Sequence, residues 1–241
     1  MSNLKQNLKS IQTRVAIAAE KQGKTLADIK IIVVTKTIPA QLVEEVIQAG
    51  VVDIGENRVQ EADEKIGPLK KKYPAVKWHM VGHLQRNKVR QALPLFDIIQ
   101  SLDSERLAQE IQKKAEAQKI PVLIEVNTSA ETTKNGVPVA GVVEFAKKVS
   151  VFGNLRVEGL MTIGPLGPDP EQARPCFKKL KELSLEIKNL DLPNFEMKYL
   201  SMGMSDDFEV AIQEGSNMIR VGRAVFPACR QAGDKGVEIK W

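Results

Sequence analysis

Between residues 30 and 221, short β-rich runs alternate with stretches of amphipathic helical spacing, and that alternation leaves very few folds open. Strands are expected at residues 30–35, 52–54, 77–81, 96–100, 121–126, 156–160, 196–200 and 218–221. Helices are expected at 40–49, 57–65, 104–117, 139–150, 170–190 and 207–213, and an extra amphipathic helix over 4–21 precedes the first strand. Eight strands alternating with helices predict an α/β fold, a (β/α)8 TIM barrel rather than an open sheet. No Pro- or Ser-rich linker breaks the pattern, so residues 1–241 are expected to form one domain.

Composition narrows the function classes. A hydrophobic fraction of 43% in 241 residues is enough to fill a substantial core. The net charge of +5 is spread over both signs, and 5% aromatic residues offer few stacking platforms, which argues against nucleic acid as a partner. Lys70-Lys71-Lys72, set between Pro68 and Pro74, reads as a solvated turn or helix end. The first ten residues space their leucines among polar groups, so no signal peptide is expected, and no stretch has the length to cross a bilayer. Cys176 and Cys229 lie far apart without metal or redox spacing, which suits a reducing compartment and predicts a cytoplasmic protein.

In such a barrel the working groups stand at the carboxyl ends of the strands. Those ends read Lys36, Gly55-Glu56-Asn57, Gly82-His83, Gln100-Ser101, Asn127, Met161-Thr162, Ser201-Met202-Gly203 and Gly222, a polar ring rich in glycine. Lys36 closes the apolar run from Ile31 to Thr35. A lysine held there can lose hydration, which lowers its pKa and frees a neutral amine for Schiff-base chemistry; the alternative is a side chain that simply reaches into solvent.

Two glycine turns sit where barrels of this kind commonly hold a phosphate, after the seventh and eighth strands. The first is Ser201-Met202-Gly203-Met204-Ser205, leading into a helix where Asp206 and Glu209 show the pattern of a capping box; the second is Gly222-Arg223-Ala224. Unpaired backbone N–H groups at such turns cradle anions, although either glycine alone could serve only a tight turn. A phosphorylated aldehyde facing a Schiff-base lysine is the economical ligand, and pyridoxal 5′-phosphate (PLP) fits that description. Arg220 lies among apolar neighbours in the eighth strand and needs a partner, either a structural carboxylate or the ring nitrogen of the cofactor. At the ring nitrogen it would keep that atom unprotonated and weaken the ring as an electron sink.

These residues resemble the pyridoxal phosphate homeostasis proteins, whose barrels are related to the amino-terminal domain of bacterial alanine racemase. The resemblance rests on Val34-Thr35-Lys36-Thr37, on Gly55 through Glu61, on Trp78 through Lys88, on Gly159-Leu160-Met161, on Leu200 through Ser205 and on Arg220-Val221-Gly222-Arg223-Ala224, in that order along nearly the whole chain. It implies a single barrel that carries PLP as a Schiff base on Lys36, without robust catalytic turnover, and that buffers the cofactor and delivers it to apoenzymes through transient contact. It further implies that Ser201, Gly203, Ser205, Gly222 and Arg223 line the phosphate site, that Arg220 faces the pyridine nitrogen, and that Asn57, His83 and Met161 lie near the ring. Relatives carry a hydroxyl residue at position 223, so a side-chain contact there differs in this chain while a backbone donor would survive.

Three other readings compete. His79 and His83 could suggest a metal, but their spacing lacks the glutamate of a zinc-protease helix and has no third ligand nearby. An amino-acid racemase of the same fold would need a second acid/base group opposite the lysine, supplied by a tyrosine of another domain, and the chain leaves too few residues after the eighth strand for one. Its tyrosines, Tyr73 and Tyr199, fall in a charged turn and inside a strand. A lysine aldolase would use Lys36 without any cofactor and would be colourless. A monomer is expected, because the missing domain removes the usual racemase dimer interface.

Overall fold

The computed structural model describes residues 3–165, 167 and 169–227; Cys229 lies outside them. Its strands are β1 (Lys30–Val34), β2 (Asp53–Glu56), β3 (Lys77–Met80), β4 (Ile98–Leu102), β5 (Ile120–Asn127), β6 (Val137–Pro138), β7 (Leu155–Met161), β8 (Phe195–Ser201) and β9 (Met218–Val221). All pair in parallel. β1 lies between β2 and β9, β4 pairs with β5, and β5 with β7, so eight strands close on one another, while the two-residue β6 pairs with β5 alone. The expected TIM barrel is therefore present, and closure removes the sheet edges that an open form would expose.

The helices are α1 (Asn3–Glu20), α2 (Ala40–Gln48), α3 (Val59–Lys72), α4 (Val89–Ala92), α5 (Glu105–Lys114), α6 (Val142–Val149), α7 (Arg174–Lys188) and α8 (Phe208–Gln213). The third runs past its expected end at residue 65, through Gly67 and Pro68. Ile66 and Leu69 are both buried against the barrel, so packing overrides the local breakers. Lys70, Lys71 and Lys72 then form the last turn, where cations complement the helix dipole. The expected capping box at Asp206 and Glu209 does not form. Asp207 is the residue that precedes α8, and its carboxylate accepts from the Met204 N–H at 2.6 Å, whereas Glu209 is taken by Arg14 at 2.6 Å.

The amino-terminal helix buries Leu4, Leu8, Ile11, Val15 and Ala18, the spacing of one helical face. Its Arg14 lies 4.6 Å from the centroid of the Phe208 ring, and Asn7 donates to the Val225 carbonyl at 3.1 Å. The extra helix thus braces α8 and the turn after β9, the two segments that flank the glycine turns.

Strand periodicity sorts side chains between two cores. Outward residues such as Val33, Ile54, Trp78 and Ile219 pack under the helices, while Ile32, Ile98, Leu123, Met161 and Met218 fill the barrel. The barrel also encloses a polar set: Asp53, His79, Gln100, Glu125, Ser201 and Arg220 are all buried.

Candidate functional site

A cleft of about 410 Å³ opens where the strands end, and Lys36, Asn57, Ser205, Arg220, Gly222 and Arg223 line it. A space of this size is ordinary for a small ligand. Met161, Ser201 and Gly203 are buried beneath or behind these residues, with Met161 in the barrel filling. His83 does not line the cleft. It is exposed on the rim, 3.1 Å from Asp103, and borders two neighbouring grooves, one of which it shares with Asn57.

Lys36 is half-buried, two residues beyond the last residue of β1. The strand end beneath it is pinned from outside the barrel. Thr35 N–H donates to the Gly55 carbonyl at 2.9 Å, and the Thr35 hydroxyl donates to Glu56 Oε1 at 2.7 Å. Lys65 Nζ, reaching in from α3, donates at 2.9 Å both to Glu56 Oε1 and to the Thr35 carbonyl. Burial raises the Glu56 pKa against the pull of Lys65 and Thr35. Thr37 adopts φ of +60°, uncommon for a β-branched residue, and its N–H donates to Glu61 at 3.2 Å. Among the described residues no carboxylate lies within 4.0 Å of Lys36 Nζ, so its amine is free to meet a ligand.

Opposite the lysine, two turns present backbone donors. Gly203 has φ of +95°, and a Cβ there would come within 2.6 Å of the Ala211 Cβ and 2.9 Å of the Phe208 Cα, so only glycine lets this turn settle onto α8. Gly222 N–H and Ala224 N–H both point at Ser205 Oγ, at 3.4 and 3.3 Å. Among the described residues the N–H groups of Ser205 and Arg223 have no hydrogen-bond partner. Such a cradle suits an anion. The Arg223 guanidinium pairs with Asp206 across the outer edge of the cleft, both side chains exposed.

Arg220 forms the floor. Its Nη1 donates to Ser201 Oγ at 2.6 Å and its Nη2 to the Thr162 carbonyl at 2.8 Å. Burial pulls its pKa down to about 10, partly offset by the negative charge of Glu125 and Asp207. Glu125 is driven the other way, to about 7, by burial and by Asp103, against Arg220.

The sequence places Gln100 and Thr162 in the polar ring without a role and does not single out Glu125 or Asp207; all four act on Arg220, directly or through Ser201. The two histidines face apart, His79 into the barrel against Asp53 and Gln100, His83 outward to Asp103. Among the described residues no three His, Cys, Asp or Glu side chains gather as metal ligands.

The alanine racemase N-terminal domain family matches residues 1–228. A pyridoxal phosphate homeostasis protein of Aquifex aeolicus is 40% identical over 234 residues, 93% of this chain and 97% of its own length. The chain belongs to the pyridoxal phosphate homeostasis protein family. Among solved structures, an unknown protein from Bifidobacterium adolescentis is 34% identical with a TM-score of 0.88, covering 92% of this chain and 94% of that one. The PipY protein of Synechococcus elongatus, solved with PLP bound, is 29% identical with a TM-score of 0.79, covering 92% and 99%. In the present chain Lys36, Arg220 and the backbone turns at Ser205 and Gly222 line one cleft.

Proposed function

We propose that this chain binds PLP covalently through Lys36 and serves its homeostasis, holding the cofactor and passing it on rather than turning over a substrate. The observation that carries this reading is the shared cleft: a half-buried lysine and a buried arginine line it together with the turns at Ser205 and Arg223, whose backbone N–H groups have no partner among the described residues. When bound, the cofactor supplies an aldehyde carbon that an amine can attack. Lys36 offers that amine. Ser205, Gly222 and the N–H of Arg223 hold the phosphate, with Gly203 giving the turn its shape and Ser201 acting on the cofactor through Arg220. Arg220 donates toward the ring nitrogen and keeps it unprotonated, since a guanidinium has no proton acceptor to offer. Asn57 and Met161 bound the ring, and His83 stands at the rim. The relatives' name and the PLP held by PipY agree with this assignment.

Weak turnover follows from the same residues. Neither tyrosine lines the cleft: Tyr73 binds Glu44 on the outer surface, and Tyr199 packs against the barrel filling. Two-base racemisation would therefore lack its second group. We further take residues 1–241 to act as one domain, as a cytoplasmic monomer that meets recipient apoenzymes transiently; among the described residues no helix is long and apolar enough to cross a membrane.

Mixing PLP-loaded protein with an apoenzyme that requires the cofactor tests delivery. Activation is expected, whereas no activation over long incubation, or rapid racemisation of an amino acid by the purified protein, would contradict the carrier role.

A further inference from the structure

We propose that Gln100 and His79 are positioning residues for Arg220: a neutral hydrogen-bond relay through the barrel interior holds the guanidinium in its place beneath the cleft. The effect on bound cofactor rests on the function proposed above; the relay itself does not.

The relay crosses the barrel from mouth to opposite rim. Arg220 Nη1 donates to Ser201 Oγ at 2.6 Å, and Ser201 Oγ donates to Gln100 Oε1 at 2.6 Å. Gln100 Nε2 reaches His79 Nδ1 at 3.0 Å and Met218 Sδ at 3.3 Å, and His79 Nε2 meets Asp53 Oδ1 at 2.9 Å. Lys30 closes the line 3.3 Å from Asp53.

Its polarity admits one arrangement. A guanidinium can only donate, so Ser201 must accept from it and spend its single hydrogen on the Gln100 carbonyl. The amide of Gln100 is then turned with its NH2 toward His79, whose Nδ1 must accept. That leaves the imidazole proton on Nε2, aimed at the Asp53 carboxylate. From Ser201 to Asp53 each polar side chain in the line has a partner, the condition under which a buried network specifies one geometry.

Glu125 and Asp207 act on Arg220 through space, yet among the described residues no carboxylate lies within 4.0 Å of its nitrogens. A buried arginine ordinarily pairs with a carboxylate, often in bidentate fashion, which would turn its donors away from a ligand. Here hydroxyl and carbonyl partners hold it instead, so its charge and remaining N–H groups stay available to the cleft.

Substitution of Gln100 separates positioning from packing. Gln100→Leu keeps the bulk but removes the acceptor for Ser201, and it should weaken PLP binding by about tenfold or more and move the visible absorption maximum of the adduct. Gln100→Glu keeps an oxygen facing Ser201 and should retain affinity and spectrum closer to wild type than Gln100→Leu does. If Gln100→Leu does not fold, Ser201→Ala breaks the same line and should give the same loss. In the ligand-free protein, nitrogen NMR should find His79 as the neutral Nε2–H tautomer. A Gln100→Leu or Ser201→Ala protein with wild-type affinity and absorption, or a Gln100→Glu protein more impaired than Gln100→Leu, would overturn the positioning role. A wild-type protein that takes up no PLP would contradict the proposed function instead, and the His79 tautomer would still decide whether the relay exists: the Nδ1–H form overturns it.

Discussion

Glu125 and Glu56 are the two buried carboxyl groups whose behaviour follows most directly from their surroundings. The folded protein raises the Glu125 pKa from 4.5 to about 7, through burial first and Asp103 second. Between those pH values the native state holds a proton that the unfolded chain releases. The stabilisation tied to this group is therefore complete below pH 4.5 and is lost as the pH rises through 7, a change of about 3 kcal/mol. Glu125→Gln should flatten that part of the pH profile in denaturant titrations, and an unchanged slope would show that the group is not buried as described. Burial raises Glu56 as well, but this fully buried carboxyl has a cation in contact, Lys65 at 2.9 Å. Lys65→Met should cost about 3–5 kcal/mol near neutral pH, because the carboxylate loses its partner. The loss should shrink in acid, where Glu56 takes up a proton, and a cost that does not vary with pH would argue against an ion pair.

At the scale of elements, the turn after β8 makes the sharpest demand on its residue. Gly203→Ala places a methyl group against Ala211 and Phe208 in a backbone region that side chains rarely adopt, so a loss of about 1–3 kcal/mol is expected. The same change should weaken phosphate binding measured by calorimetry, and unaltered binding would place the anion elsewhere. All eight barrel strands were legible in the sequence because each is a short β-rich run, apolar as in β1 or alternating as in β8, set between helical stretches, and their order fixed where the cleft would open. The departures have local causes. β6 and α4 span two and four residues, too short for any periodicity to register. The third helix outran its expected end because Ile66 and Leu69 are held by the barrel, a tertiary effect invisible in local propensity. Asp206 looked like a cap, but the neighbouring Asp207 takes that place and frees Asp206 for Arg223. Of the site, the strand-end lysine and the glycine turns could be read directly. The interior partners of Arg220 could not, since Gln100 and His79 lie far from it in the chain and meet it only across the closed barrel.

For the molecule as a whole, the cleft faces outward at one end of the barrel, with Arg223 and Asp206 exposed at its edge. An open mouth suits release to another protein, and a monomer of 26.7 kDa is the expected species in sedimentation; a stable dimer burying the mouth would contradict open transfer. The most direct test of the account is to load the protein with PLP, reduce it with borohydride and map the modified peptide by mass spectrometry. The account predicts one cofactor per chain, fixed on Lys36, and none on a folded Lys36→Ala protein. A cofactor fixed on a different lysine, or no reducible adduct at all, would contradict it.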